Sequence, residues 1–378
     1  MRYCKNCILP DSRPGLVIES DGICNACKNS ILKNDEINWR NREQSFNKLV
    51  KKIKAKNYGY DCLIPVSGGK DSTWQVIKCL ENGLKPLCFT WRPPSRTKLG
   101  QNNLNNLISL GVDHIDYSIS PNTEKKFLLD ALKKYGAVAI PMHMAIFNIA
   151  PTLALNFNIP LIVWGENSAF EYGSKDEIHN GFSMDEAWVK TFGVIHGTTY
   201  KDWITDELTS KDLFPYKPPD FNLINKKGIK AIFLGQYFKW DPQLTAKVAE
   251  ENGFKKGNEA KVGLYDYADL DDNFISVHHF PKWHKFGFSR IFDNLSLEIR
   301  NGRLTRKKAL EILNEKGPEI PIEDIKKFCN FIGLSISEFF KILEKFRNKK
   351  IWSKDQGTWK INNFIVKNWD WKKLHYES

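Results

Sequence analysis

Two residue spacings in this 378-residue chain are suited to chemistry. One is a pair of Cys-x-x-Cys knuckles, Cys4 with Cys7 and Cys24 with Cys27, separated by sixteen residues. Four thiolates suit a tetrahedral Zn²⁺, and the stretch between, with Pro10, Pro14, Gly15 and Gly22, suits a ribbon rather than a helix. Four protein ligands leave no open coordination position, so the expected role is structural. A redox pair would open a helix after a core strand, and neither knuckle is so placed. The other spacing is Ser67-Gly68-Gly69-Lys70-Asp71-Ser72, which follows a short apolar run at 60–66 and opens a helical pattern. Gly68 and Gly69 let the backbone approach a ligand, and N–H groups at a helix start form an anion-binding concavity. Ser67 and Ser72 add hydroxyl donors, Lys70 adds a positive charge, and Asp71 suits Mg²⁺. The mononucleotide loop needs Gly five residues before its Gly-Lys pair and Ser or Thr after the Lys. Ile64 and Asp71 occupy those positions, so the loop suits phosphate binding without kinase-like γ-phosphate transfer.

A second group of polar residues follows another apolar run, at 161–164. Gly165-Glu166-Asn167-Ser168 and then Glu171-Tyr172-Gly173 place two carboxylates and an amide beyond what reads as a strand. In open parallel sheets that edge binds ligands, so these residues are candidates to bind Mg²⁺, orient a substrate or accept a proton. Further on, Lys285-Phe286-Gly287-Phe288-Ser289-Arg290 and Glu298-Ile299-Arg300-Asn301-Gly302-Arg303 supply cations for an anionic substrate. His278, His279 and His284 fit no defined metal spacing and are expected to be core or partly exposed histidines.

The elements that must position these residues alternate. Strands are expected at 60–66, 85–90, 112–119, 161–164 and 230–234, with helices at 71–82, 99–110, 124–135, 139–157 and 243–252. That order predicts an α/β fold, a parallel sheet with helices on both faces. The expected organisation is a zinc ribbon at 1–35, a nucleotide-binding α/β domain at 36–255, and a substrate-binding helical region at 256–378. An apolar stripe over 39–53 predicts a joining helix, and the irregular stretch 174–230 a lid or insertion that builds the substrate pocket. Thr305 is an expected N-cap, Gly317-Pro318 an expected stop, 322–332 a helix, and Ser335 with Glu338 a capping box. Asp71 sits at a turn, so alanine is expected there without loss of the fold.

The formal net charge is +12, from 56 basic and 44 acidic residues, which suits an anionic partner without choosing one. No run is long enough to span a bilayer and no signal pattern opens the chain, so a cytoplasmic location is expected. Eight cysteines in such a chain do not make a disulfide framework. Cys62, Cys79 and Cys88 read as small buried hydrophobes.

Taken together, the first knuckle with Ile8-Leu9-Pro10-Asp11-Ser12-Arg13-Pro14, the second knuckle, the stretch from Pro65 to Ser72, Trp164-Gly165-Glu166-Asn167 with Glu171-Tyr172-Gly173, and the block from Lys285 to Arg303 resemble the N-acetyl sugar amidotransferase family over nearly the whole chain. The loop is similar to the PP-loop of the ATP pyrophosphatase superfamily, which cleaves ATP between its α- and β-phosphates. The resemblance implies ATP-dependent conversion of a sugar acetamido group to an acetamidino group, in surface glycan pathways that use nucleotide-linked diacetamido uronic acids or nonulosonic acids such as pseudaminic or legionaminic acid. It implies Lys70, Asp71, Glu166 and Asn167 in catalysis, residues 67–72 at ATP and Mg²⁺, and Glu171, Tyr172, Lys285, Arg290 and Arg300 at the sugar. Ammonia is expected from a separate glutaminase and cyclase-like pair, since no glutaminase motif is evident. The rival reading is a tRNA-modifying PP-loop enzyme, a thiolase or lysidine-type ligase, which the basic charge and ribbon also suit. A thiolase needs a cysteine near the ATP site, and nucleic acid is not the expected partner.

Overall fold

A computed structural model describes residues 1–56, 58–175 and 181–371. Its centre is a five-stranded, all-parallel sheet of β1 (Cys62–Pro65), β2 (Pro86–Trp91), β3 (Asp113–Tyr117), β4 (Leu161–Trp164) and β5 (Lys230–Phe233) in the order β3-β2-β1-β4-β5. The fold is α/β, as the alternation requires, and every expected strand is present. Side chains alternate faces along each strand. Leu63, Leu87, Phe89 and Ile162 enter one apolar cluster, while Cys62, Ile64, Cys88, Leu161 and Val163 enter another. Helices cover both faces, so the central strands β1, β2 and β4 read as near-continuous apolar runs, while the edge strand β3 is partly exposed.

The chain turns from β1 through the helix Lys70–Glu81 towards β2 on one side, and from β4 towards β5 on the other. β1 and β4 are neighbours, with Leu63 opposite Ile162. Their carboxyl ends therefore flank the point where the strand order reverses, the crevice in which such sheets hold ligands. The helix Ile140–Asn156 runs through Pro151.

The four knuckle cysteines are buried beside the helix Asn25–Ile31. Ile8, Leu9 and Leu16 from this ribbon share one apolar cluster with Trp283, Phe292, Leu313, Trp352 and Ile361. The C-terminal region includes the helix Arg290–Arg300, the helix Arg306–Lys316 capped by Thr305, the helix Ile322–Ile332, and the helix Ile336–Glu344 with its Ser335–Glu338 capping box. It also holds an unanticipated hairpin, β6 (Trp352–Asp355) with β7 (Thr358–Ile361). Gln356 and Gly357 both turn through positive φ there, as a two-residue hairpin loop demands. Among the described residues, no helix is long and apolar enough to cross a membrane.

Candidate functional site

The loop after β1 begins at Val66, whose N–H bonds the Phe89 carbonyl at 2.8 Å. Gly68 has φ +85°, and a Cβ there would meet the Leu104 backbone nitrogen at 2.6 Å. Conformation and space thus both demand glycine, which lets the loop lie against the helix Lys98–Ile108. Ser67 Oγ accepts from the Gly69 N–H at 3.2 Å, and Ser72 Oγ donates to the Gly69 carbonyl at 3.0 Å. The helix that follows leaves its first N–H groups without intrahelical acceptors, facing the crevice.

Asp71 is the best-tied side chain of the loop. Its Oδ1 accepts from Trp240 Nε1 at 3.0 Å and from Thr245 Oγ1 at 2.9 Å, and its Oδ2 lies 2.5 Å from Lys70 Nζ. Trp240 and Thr245 are buried, and Thr245 Oγ1 also reaches the Pro242 carbonyl at 3.2 Å, so alanine at position 71 strands one donor, Trp240 Nε1. The turn-like reading of Asp71 is corrected on that point.

A cavity of about 180 Å³ opens over this loop. All six residues from Ser67 to Ser72 line it, together with Glu166, Tyr172 and Arg290. Its far wall is the loop at 265–271, with Tyr265, Tyr267 and Asp269. Tyr265 donates to Glu298 Oε1 at 2.6 Å and stacks on Tyr267. Arg290 Nε donates to Asp269 Oδ2 at 3.3 Å. Burial opposes the charge on Arg290, but Asp269, Tyr172, Asp293 and Glu166 together outweigh it and hold the guanidinium firmly protonated.

Glu166 follows β4 across the crevice from Asp71. Burial and then the charge on Asp71 push its carboxyl up to about 7. Two carboxylates at adjoining strand ends, one held partly protonated by burial and then by the other, form a donor set that would suit Mg²⁺. In the unfolded chain Glu166 titrates near 4.5 and in the folded one near 7, so the folded form keeps a proton between those values that the unfolded form has lost. Stability falls as pH rises through that window, and the full cost stands above it. Glu166→Gln should therefore raise the melting temperature of metal-free protein at pH 8 and leave it unchanged at pH 4.5. Equal melting temperatures for the two proteins at pH 8 would contradict the placement.

A second, larger cavity of about 670 Å³ lies beyond Tyr172, which lines both. Arg13, Lys175, Lys282 and Lys285 give it a basic lining, with His196, His278 and Phe288. Lys285 Nζ donates to the Tyr135 carbonyl at 2.9 Å, and burial lowers its pKa to about 8. Arg13 bonds Asp293 at 2.8 Å and the Tyr172 carbonyl at 3.1 Å. The ribbon thereby reaches the wall shared by the two cavities.

The remaining candidates lie outside these linings. Asn167 Oδ1 caps the short helix Ser168–Tyr172 through Ala169 N–H, and it accepts from Trp188 Nε1. Glu171 forms a buried ion pair with Lys33 at 2.7 Å, and Lys33 also donates to the Trp240 carbonyl. Arg300 sits against the cysteine cluster. Its Nη1 and Nη2 are buried with no hydrogen-bond partner among the described residues. The expected lid, 174–230, is described except for 176–180. Its Lys175, Thr191, Phe192, Val194 and His196 do line the larger cavity. Arg13, Lys282 and the loop at 265–271 escape sequence reasoning, since only tertiary folding brings them to the cavities.

The cysteine cluster has the geometry of a metal centre. The four Sγ atoms all lie within 4.8 Å of one another, with Cys4–Cys27 at 3.9 Å and Cys7–Cys24 at 3.7 Å. A tetrahedron with Zn–S bonds of ~2.3 Å has edges of ~3.8 Å. The orphaned guanidinium of Arg300 supplies a second test. A zinc tetrathiolate is a net dianion, and a buried cation without a carboxylate partner is what balances it. The donor set and its surroundings fit Zn²⁺. His278, His279 and His284 belong to no such cluster among the described residues.

The strand order, the phosphate-type loop at the reversal point and the buried tetracysteine cluster define an α/β protein with a crevice at the carboxyl edge of its sheet and a four-cysteine cluster that fits a metal ion. Residues 264–365 match the family model described as LPS biosynthesis protein WbpG-like, C-terminal domain. No protein of curated function matches the chain significantly. Among solved structures, NMN synthetase from Francisella tularensis is 12% identical over 75% of this chain and 94% of its own, with a TM-score of 0.34. NAD⁺ synthetase from Burkholderia pseudomallei is 9% identical over 60% of this chain and 91% of its own, with a TM-score of 0.28. The fold assignment stands on the strand order and register.

Proposed function

We propose that this protein is an ATP-dependent amidotransferase of surface-glycan biosynthesis, converting a sugar acetamido group to an acetamidino group. The observation that carries the reading is the pair of cavities meeting at Tyr172, one floored by the phosphate-type loop and the other broad and basic. An amide oxygen is a poor leaving group, and a site that presents an ATP phosphate beside a second ligand is what its activation needs. The segment matching an LPS-biosynthesis domain supports the glycan assignment, since it supplies walls of both cavities: Tyr265, Tyr267 and Arg290 to one, Lys282 and Lys285 to the other.

In this reading ATP lies with its phosphates on the loop and its α-phosphate towards Tyr172. The acetamido oxygen attacks that phosphorus, pyrophosphate leaves, and ammonia displaces AMP from the adenylated imidate. The N–H groups of residues 69–72, Lys70 and Arg290 hold the charge that develops on pyrophosphate. Asp71 and Glu166 hold Mg²⁺, which when bound neutralises the phosphate oxygens. The acceptor occupies the larger cavity with its anionic group towards Lys285, and a nucleotide-linked diacetamido uronic acid or a nonulosonic acid has the required acetamido and acidic groups. Water is excluded from the imidate by the segment around Phe192 and Val194. Ammonia comes from a separate glutaminase and cyclase-like pair. The tRNA-thiolase alternative loses support, because Cys62, Cys79 and Cys88 are buried within β1, the helix Lys70–Glu81 and β2 and line neither cavity.

Incubation with ATP, Mg²⁺, ammonium and a UDP-linked diacetamido uronic acid should yield AMP, pyrophosphate and a sugar whose mass reflects exchange of O for NH. ADP and phosphate as the only nucleotide products would overturn the reading.

A further inference from the structure

Between the two cavities runs a line of buried ionisable groups that adenylation does not use. Lys282 lines the larger cavity, and its Nζ lies 3.0 Å from His279 Nδ1. The other ring nitrogen, His279 Nε2, is 3.7 Å from Asp269 Oδ1. Asp269 lines the smaller cavity and is held at φ 58°, a left-handed backbone position that a non-glycine residue adopts at a cost. His279 is buried, and Lys282 makes no ion pair with a carboxylate among the described residues. With Lys282 donating to Nδ1, the ring proton is on Nε2 and faces Asp269. A lysine whose amine is steered by an imidazole, itself fixed by a carboxylate, has the layout of an activated base.

We propose that Lys282 is the base that takes the proton from the attacking nitrogen, with His279 and Asp269 as its positioning residues. The assignment rests on the amidotransferase reading above. As ammonia attacks the adenylated, N-protonated imidate carbon, a C–N bond forms and the incoming nitrogen becomes positively charged. The neutral amine of Lys282 takes one proton from it. The lone pair so released expels AMP as the C–O bond breaks, leaving the amidinium product and Lys282 as an ammonium that returns its proton to solvent.

The surroundings bring the neutral amine to about half of the population near pH 8. Burial pushes Lys282 down to about 8, with Arg290 and Arg13 acting the same way and Asp293 and Asp269 opposing. Burial keeps the facing imidazoles neutral, His279 down to about 4 and His278 lower than usual, so neither titrates in the same range. Lys285 also titrates low, but its Nζ is committed to the Tyr135 carbonyl and has no imidazole partner in that bond. It serves as the control.

Two half-reactions test the assignment. ATP–pyrophosphate exchange driven by a UDP-linked diacetamido uronic acid, without a nitrogen source, reports adenylation. Amidine formation with ammonium, or with hydroxylamine as a nucleophile already neutral near pH 7, reports the second step. Lys282→Met should lower amidine formation by roughly 10²-fold or more beyond any change in exchange. His279→Gln should shift the acid limb of the hydroxylamine profile, and Lys285→Met should raise the sugar KM in both assays. Equal losses of exchange and amidation in Lys282→Met, or unaltered amidation, would overturn the role of Lys282 while leaving the amidotransferase reading in place. No sugar-dependent exchange in the wild-type protein would remove that reading and the role of Lys282 with it. Competitive acetylation of wild-type protein, read by peptide mass spectrometry, gives a measure independent of any variant's folding. Lys282 should be half-protected near pH 8, and a midpoint equal to that of exposed lysines would count against it.

Discussion

Asp71→Asn should lower sugar-dependent ATP consumption by on the order of 10²–10³-fold, the range seen when one preorganised electrostatic group is lost. Asparagine keeps an oxygen for Trp240 Nε1 and Thr245 Oγ1 but removes the charge facing Lys70 and the metal. Asp71→Ala should lose activity and also stability, by about 1–3 kcal/mol for the buried Trp240 N–H left unmet. The contrast between the two variants, read by release of AMP and by a denaturation midpoint, separates the role in the reaction from the role in the fold. Turnover in Asp71→Asn within tenfold of wild type would show that its charge is not needed.

The tetracysteine centre carries the second large effect. Purified protein should hold about one zinc per chain. Cys24→Ser should lower the thermal midpoint by roughly 5 °C, since several kcal/mol of metal-coupled folding are lost and a chain of this size shifts by ~1–2 °C per kcal/mol. The ribbon shares its apolar cluster with Trp283, Phe292 and Trp352, so the loss should appear as a shift of the main transition, not as a separate early one. Arg300→Met should weaken zinc retention against a chelator by about 10–100-fold, because the thiolate dianion loses its buried counter-charge. Protein free of zinc with an unshifted midpoint would exclude a metal at this site.

Local motifs were the legible part of both sites. The loop at 67–72 and the knuckles are contiguous or nearly so, and their backbone demands, such as the glycine at position 68, are written in residue type. The three central strands, β1, β2 and β4, were legible because both faces are buried, so each reads as a short apolar run, whereas the edge strands β3 and β5 are partly exposed. Arg290 and Arg300 show where local reading stops. Their pairing as two contacts to one sugar ignores that they begin and end a single helix. Ten residues at ~1.5 Å rise put their backbones roughly 15 Å apart. Arg290 faces the cavity over the loop, and Arg300 faces the cysteines. Glu171 likewise reads as a site carboxylate, yet its partner is Lys33, which lies 138 residues earlier and has no motif of its own. Lys282 and Arg13 reach the larger cavity through contacts between the two ends of the chain, and no period within either segment encodes that meeting.

The same meeting of ends has a consequence for synthesis. The Cys7 carbonyl accepts from Arg306, 299 residues away, and Ile8 N–H donates to Ser296, 288 residues away. At the usual ~5–20 residues per second, a ribosome makes the ribbon roughly 15–60 s before its apolar partners emerge. Through that interval Ile8, Leu9 and Leu16 have nothing of their own to cover them, and the four thiols stand open to oxidation unless a metal has already claimed them. Zinc supply during translation, more than the stability of the finished protein, should therefore set how much correctly assembled chain a cell recovers.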